Sequence, residues 1–315
     1  MDTTIIRTII ATSTAVSLIF GYSIGIAAPG NSPSHSLVNS SPMQRLPGYE
    51  WVDAKECAAL KVIQQARDAQ ERGDWETALN LYNQSLSIFP NKGVLEGAIA
   101  IHAFETGDFS TSLTNFESSN TWKDGHIQGF SYEYMYILAF LLMRDGQYDK
   151  AITMYSDAYP DLPPFVLIGD PSMKGPLPSF SKDNPPDSPE EFEADALVGA
   201  AIYSTADALG DRYDMGSDGK NHLVNDPYWK PYHDKITMQR FNLALQLQPT
   251  SPVVYYYLGD YLRQVPGREA DAADAFHKAW EDGNSDMEQR VLSEGKFAYP
   301  AFKKAFDARF SDIPH

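Results

Sequence analysis

The residues best suited to catalysis or metal binding are seven histidines, one cysteine and many carboxylates. The histidines lie at positions 35, 102, 126, 222, 233, 277 and 315, and they form no HExxH pair and accompany no GxSxG nucleophile turn. No GxGxxG or phosphate-loop sequence occurs, so nucleotide chemistry has no recognisable site. Cys57 alone cannot form an intrachain disulfide or a structural zinc site, and we expect it to be inert. The sequence therefore predicts a protein without enzymatic activity or a cofactor.

One polar stretch, residues 210–233, contains oxygen ligands of the kind that calcium prefers. Asp214, Asp218 and Gly219 match positions one, five and six of a calcium loop. However, Gly216 stands at the third ligand position and Asn225 replaces the bidentate glutamate at the twelfth. An ordinary polar insertion is therefore favoured over a calcium site.

Composition and charge limit the classes of partner. The chain has 315 residues, of which 42 are acidic and 25 basic, and its formal net charge is -17. Such a chain repels phosphate backbones, so nucleic acid is not an expected partner. A hydrophobic content of 43% is typical of a globular protein rather than a disordered one.

The amino terminus is typical of an export signal. Arg7 precedes an uncharged, largely apolar stretch, and Gly25 and Ala27 place small residues where a secretory peptidase would cut. Residues 1–27 are therefore predicted to be a signal peptide, with an uncleaved membrane anchor as the alternative. Residues 28–49, rich in Ser, Pro and Gly, are predicted to be a flexible leader. The expected location is periplasmic or extracellular.

The strongest pattern in the chain is an internal repeat. A ten-residue segment beginning at Gly73 aligns without gaps with segments beginning at Gly107 and Gly146, the last after a short insertion around residues 121–125. In each copy, glycine can end one helix with a positive φ, and the next helix begins at the aromatic two residues later. Small, aromatic and small residues then follow at spacings of four and three, on one helix face. The stripes are Ala78, Tyr82, Ser85; Ser112, Phe116, Ser119; Ala151, Tyr155, Ala158; Thr237, Phe241, Ala244; and Ala272, Phe276, Ala279.

This pattern resembles the tetratricopeptide repeat family, whose helix-turn-helix unit has the period that separates Gly73 from Gly107. The resemblance covers residues 56–160 closely and 190–283 less closely. It implies an all-α helix-turn-helix solenoid over residues 50–315, without β-structure between Cys57 and Pro160. Insertions at 160–189 and 210–233 interrupt it, the second one splitting the fourth hairpin, and helices at 287–293 and 300–310 cap its end.

The resemblance also implies a concave groove that holds a protein or peptide. Family alignment gives eight candidates for its wall: Arg67, Phe104, Tyr136, Phe140, Arg144, Tyr256, Asp260 and Arg263. Some of them are expected to be core residues instead, because aromatics at helical spacing are more often packing than recognition. The clamp that some family members use for chaperone tails is not expected, because only one of its five aligned positions carries a cation. Those positions hold Ile63, Arg67, Ala98, Glu133 and Ile137.

These observations favour a non-catalytic scaffold or adaptor that binds a protein partner outside the cytoplasm. The alternative is an enzyme, or a receptor for a small ligand or calcium, with a pocket formed by the two insertions. A structural module of a larger envelope assembly is a third possibility. The first insertion contains nine prolines and cannot be regular helix, so three alternatives remain: it packs along neighbouring helices, covers the groove or is disordered.

Overall fold

The described part of the chain is an all-α helical repeat fold, as predicted. A computed structural model describes residues 43–44, 52–90, 92–119, 122–123, 126–127, 132–158, 177–178, 180–181, 183–209, 213–215, 221–223, 226–296 and 299–312. Twelve helices lie within these ranges. The predicted signal peptide, nearly all of the leader and most of the first insertion lie outside them.

The chain divides into two compact units, and the first contains two helical hairpins. Unit 1 comprises Met1–Gly129 and Asp211–Tyr232, so the second insertion groups with the first two repeats. The hairpins are α1 (Ala54–Glu71) with α2 (Trp75–Ile88), and α3 (Lys92–Thr106) with α4 (Phe109–Ser119).

Three short antiparallel strand pairs accompany these hairpins in unit 1. They are β1 (Met43–Gln44) with β2 (Val52–Asp53), β3 (Trp122–Lys123) with β4 (His126–Ile127), and β5 (Tyr213–Met215) with β6 (Asn221–Leu223). The β3–β4 pair corrects the prediction that no β-structure lies between Cys57 and Pro160. It lies at the predicted short insertion, where the chain leaves the repeat pattern, so the helical hairpins on either side are unaffected.

Unit 2 comprises Phe130–Gly210 and His233–His315. Its elements are α5 (Tyr132–Arg144), α6 (Tyr148–Ala158), α7 (Pro189–Leu209), α8 (Trp229–Leu247, whose first turn is assigned to unit 1), α9 (Pro252–Leu262), α10 (Glu269–Glu281), α11 (Ser285–Lys296) and α12 (Pro300–Arg309). Helices α11 and α12 are the two predicted terminal helices. Both pack against α10, which completes the apolar interior at this end.

The turn glycines adopt the predicted conformation. Gly73, Gly107 and Gly146 have φ of 80°, 83° and 80°, and Gly267 in the last hairpin has 83°. The first three turns share one hydrogen-bond pattern, in which the glycine N–H donates to the carbonyl three residues back. The following N–H donates to the carbonyl five residues back, as Asp74 does to Ala69 O at 2.9 Å. This Schellman-type geometry closes each first helix and starts its partner.

The aromatic stripes form the interior of the hairpins, as the spacing predicts. All fifteen stripe residues are buried except Ser119, which is half-buried. The Tyr155 ring meets Tyr136 of the paired helix edge-on at 5.1 Å, and Phe276 meets Tyr256 at 5.6 Å. Each such ring stabilises its hairpin by roughly 1.5–3 kcal/mol through burial, because the small residues beside it allow the helices to approach closely.

The described end of the Pro-rich insertion packs onto helices of unit 2. Leu177 and Phe180 are buried. Tyr155 Oη donates to Pro178 O at 2.9 Å, and Ser156 Oγ donates to Phe180 O at 2.6 Å. For these residues, the interpretation as packing along neighbouring helices is confirmed.

The three matching turns differ in how their second helix is capped, and this difference gives a stability prediction. The carboxylates of Asp74 and Asp108 accept from the N–H groups of Thr77 and Thr111, both at 3.1 Å. Side-chain and backbone hydrogen bonds from these threonines lower the pKa of each aspartate. The third turn has Gln147 here, whose amide donates to Asp145 Oδ2 at 2.9 Å instead.

We therefore expect Gln147→Asp to stabilise the protein by about 0.5–1 kcal/mol, because it supplies the missing cap. The measurement is urea unfolding followed by circular dichroism at pH 7. Gln147→Ala, which adds no cap, is the control and should not reproduce the gain. Equal stability of the aspartate and alanine variants would contradict the capping argument.

Candidate functional site

The structure places six of the eight predicted groove residues in the interior. Arg67 is half-buried and Arg144 is exposed, whereas the others are 0–4% exposed. The buried six are Phe104, Tyr136, Phe140, Tyr256, Asp260 and Arg263. The interpretation of these six as residues of an open wall is corrected, because the chain's own helices cover them.

Helix α7 packs against α5 and covers predicted groove residues there. Tyr136 and Phe140 are both 0% exposed, and Gly199 of α7 lies directly over the Tyr136 ring. A Cβ placed on Gly199 would come within 2.5 Å of that ring. Family alignment assigns these rings to the wall of the groove, but in unit 2 both are buried, in a helix that packs against α7.

The three predicted residues of α9 come together in one buried polar cluster. Arg263 Nη2 donates to Asp260 Oδ1, and Arg263 Nη1 donates to Glu294 Oε2 at 2.8 Å. Tyr256 Oη donates to Glu294 Oε1 at 2.5 Å. All four residues are 2–4% exposed, and Glu294 comes from the capping helix α11. We call this set the cap cluster.

Aromatic rings and carboxylates together determine the electrostatics of the cap cluster. The Arg263 guanidinium lies 5.7 Å from the Phe276 ring centroid and 6.0 Å from that of Phe302. Burial raises the pKa of Asp260 to about 7, with Arg263 lowering it and Glu294 raising it. Burial and the neighbouring Glu294 carboxylate also raise the pKa of Tyr256, which stays protonated as a hydrogen-bond donor.

Arg144 is the predicted site residue that solvent reaches most easily. Its side chain is 46% exposed, and Nη1 donates to Glu193 Oε2 at 3.2 Å. The guanidinium also lies 5.8 Å from the centroid of the Phe140 ring. Burial raises the pKa of Glu193, and Arg144 opposes that shift. Arg144 is thus a fixed cation at the surface of unit 2.

In unit 1, residues of the second insertion meet the α1 and α3 side chains. Tyr232 Oη donates to Glu105 Oε1 at 2.7 Å and accepts from Gln70 Nε2 at 3.4 Å. Tyr82 Oη donates to Gln70 Oε1 at 3.2 Å. Burial raises the pKa of Tyr82 to about 12, while the nearby Arg67 lowers it. The side chains around Arg67 in the predicted groove therefore already form hydrogen bonds with other residues of unit 1.

Three half-buried carboxylates converge beside this contact. Asp68, Glu71 and Asp226 each place an oxygen within 4.8 Å of the others. Asp68 Oδ1 also accepts from Gln64 Nε2 at 3.1 Å. Three acidic groups by themselves do not define a metal site. Of the residues matched to a calcium loop, Asp218 and Gly219 lie outside the described part of the structure, as does the side chain of Asp214.

Sequence reasoning missed three buried charged residues: Glu294 of the cap cluster, Glu193, which binds Arg144, and Arg240. Arg240 is 2% exposed, and its Nη2 lies 2.6 Å from Glu133 Oε1 while Nη1 donates to Ala200 O at 3.1 Å. A usable signal existed for Glu294, which lies three residues after the buried Val291 and so on the apolar face of α11. A charged residue on an apolar stripe indicates a buried partner.

No protein-family model matches the chain, and no curated protein has a significantly similar sequence. The tetratricopeptide resemblance therefore rests on the repeat pattern alone. Among the described residues, no helix combines the length and apolar character needed to cross a membrane.

Proposed function

We propose that this protein is a non-catalytic scaffold or adaptor of the tetratricopeptide type, which binds a protein or peptide outside the cytoplasm. The observation that carries the proposal is the series of helix-turn-helix units with matching turns and buried aromatic stripes. Stacked units of this kind present long surfaces of side chains and serve mainly in recognition. Export rests on the pattern of residues 1–27.

Within this proposal, Arg144 is the residue we assign to partner contact. It is the exposed member of the predicted set, and Glu193 and Phe140 restrict its side chain. A fixed guanidinium loses little conformational freedom when it binds a carboxylate, so an acidic segment of a partner is the matching chemistry. The buried members contribute indirectly, by fixing the helix that carries Arg144.

The proposal predicts that Arg144→Ala reduces partner capture by roughly tenfold, which corresponds to about 1.4 kcal/mol. The experiment is chemical crosslinking and affinity capture with the mature protein, with quantification of each captured species. Tyr136 and Phe140 are unsuitable for this capture experiment, since both are buried and truncating either to alanine would destabilise the unit.

Arg309→Ala is the matched control. Arg309 is 44% exposed and its Nε lies 2.8 Å from Asp274 Oδ1, so it too is an exposed arginine in an ion pair. Loss of a captured species from the Arg144 variant but not from the Arg309 variant supports the proposal. Identical capture profiles for both variants and the unmodified protein would exclude Arg144 from the binding surface.

The alternative function, a receptor for a small ligand or calcium, has one observation in its favour. Asp226 belongs to the second insertion and meets Asp68 and Glu71 of α1. Calorimetric titration with calcium tests it directly. If the unmodified protein releases or absorbs heat on binding calcium and Asp226→Asn does not, the receptor function is favoured. If the unmodified protein shows no heat of binding, the scaffold function is retained.

A further inference from the structure

The cap cluster joins the last helical hairpin to the helix that covers it. Tyr256, Asp260 and Arg263 are contributed by α9 or its carboxyl end, and Glu294 is contributed by α11. Two of the three hydrogen bonds in the cluster, those from Tyr256 and Arg263 to Glu294, connect the two helices. Tyr299, just before α12, adds a further bond by donating to Arg263 O. The attachment of α11 thus depends on a buried polar contact as well as on its apolar face.

The charges in this cluster do not balance when both carboxyl groups are ionised. Two carboxylates then share one guanidinium, which leaves one negative charge in surroundings that include the Phe276 and Phe302 rings. Within the described residues, Asp260 Oδ2 has no hydrogen-bond partner, while Oδ1 accepts from Arg263. An uncompensated buried charge is strongly unfavourable, whereas one proton on Asp260 neutralises the cluster.

We propose that the cap cluster is a proton-operated latch, which holds α11 against α9 while Asp260 is protonated and loosens when Asp260 releases its proton to solvent. Glu294 accepts hydrogen bonds from both Arg263 and Tyr256. Asp260 receives a single donor and is the group on which the proton resides.

The direction of the effect follows from the raised pKa of Asp260, which is about 7 against an ordinary value of 3.8. A carboxyl group with a raised pKa in the folded state adds stability at low pH, and that contribution is lost as pH rises through the folded value. The latch is therefore tightest below about pH 4, weakens progressively as the pH rises from there to about 7, and is loosest above that value.

The other ionisable groups near α9 have separate roles. Asp234 of α8 accepts from Tyr261, and Lys278 of α10 lies over the Tyr255 ring. Helix α7, which also packs against α9, carries Asp195, whose pKa burial raises well above its ordinary value. A second buried carboxyl makes bulk stability against pH ambiguous, so the test needs a readout specific to Asp260 and α11.

Opening of the latch would expose the α9 residues that family alignment places on the groove wall, including Tyr256 and Arg263. This consequence rests on the proposed function. It predicts that solution pH controls access to the last repeat, with binding there favoured above neutral pH.

The test combines carboxyl carbon NMR titration of Asp260 with hydrogen exchange of α11 amides at pH 6 and 8.5, corrected for intrinsic exchange. In the unmodified protein, Asp260 should titrate near pH 7, and the opening constant of α11 should rise by up to about tenfold. In Asp260→Asn, the rise should fall below about twofold, because asparagine imitates the neutral form.

Two further variants keep the outcome interpretable. Glu294→Gln removes one of the two negative charges, so the Asp260 midpoint should fall by more than one pH unit and the alkaline opening should disappear. Asp271→Asn is the matched control, since Arg268 and Asp271 form an exposed arginine–aspartate pair at the same sequence separation. It should behave like the unmodified protein.

An Asp260 midpoint below 5, or equal α11 opening in the unmodified protein and the Asp260 variant, would overturn the latch. These readouts involve no partner. The latch can therefore fail while Arg144-dependent capture persists, and it can hold while capture fails.

Discussion

Replacing Arg240 with methionine is expected to lower the free energy of unfolding by about 3–5 kcal/mol. Arg240 and Glu133 are both buried, and the Nη2–Oε1 distance is 2.6 Å. Removal of the guanidinium leaves the Glu133 carboxylate buried without this cation, and also removes a donor to the Ala200 carbonyl. The measurement is urea unfolding at pH 7, followed by circular dichroism and analysed for each resolved transition.

The double variant Glu133→Met, Arg240→Met separates charge from packing. If the loss arises from an uncompensated carboxylate, removing both charges should recover most of it, because apolar side chains of similar volume often replace a buried pair without cost. Arg309→Met is the exposed comparison and should cost less than about 1 kcal/mol. A double variant as unstable as the single one would show that the packing of Arg240, rather than its charge, is responsible.

The repeat architecture could be predicted because its signals are local. Gly73, Gly107 and Gly146 each lie next to the residues whose carbonyl groups they cap, so ten residues of sequence contain the whole turn. The stripes are equally local, since the small residues at spacings of four and three lie on the same helix face as the aromatic. The turn of the last hairpin has Pro266-Gly267 in place of the glycine-aromatic pattern, and Gly267 still adopts a positive φ.

Which of the predicted groove residues are exposed could not be predicted in the same way, because burial depends on segments that are distant in sequence. Family alignment assigns Tyr136 and Tyr256 to a wall, but nothing near either residue indicates that it is covered. Gly199 covers the first, and Glu294 of α11 binds the second. Position within a repeat determines which way a side chain points, whereas helices distant in sequence, such as α7 and the terminal α11, determine whether solvent reaches it.

The contact between α5 and α7 gives the last prediction, which concerns Gly199. A Cβ at this position would lie 2.5 Å from Cδ1 and Cε1 of Tyr136, well inside van der Waals contact. The ring has no space to retreat, because it is 0% exposed and meets Tyr155 edge-on at 5.1 Å. Gly199→Ala is therefore expected to destabilise the protein by about 1–3 kcal/mol, although alanine is the better helix former.

Gly97→Ala provides a control with the opposite expected sign. Gly97 lies within α3, and a Cβ there would meet nothing within 4 Å, so alanine should stabilise by about 0.5–1 kcal/mol. Combining Gly199→Ala with Tyr136→Leu should cost less than the sum of the two single changes, because the smaller side chain makes room for the added methyl group. Both measurements use urea unfolding at pH 7. If Gly199→Ala stabilised the protein as Gly97→Ala does, α7 would not lie against the Tyr136 ring, and the burial that removes Tyr136 and Phe140 from the predicted groove would be in error.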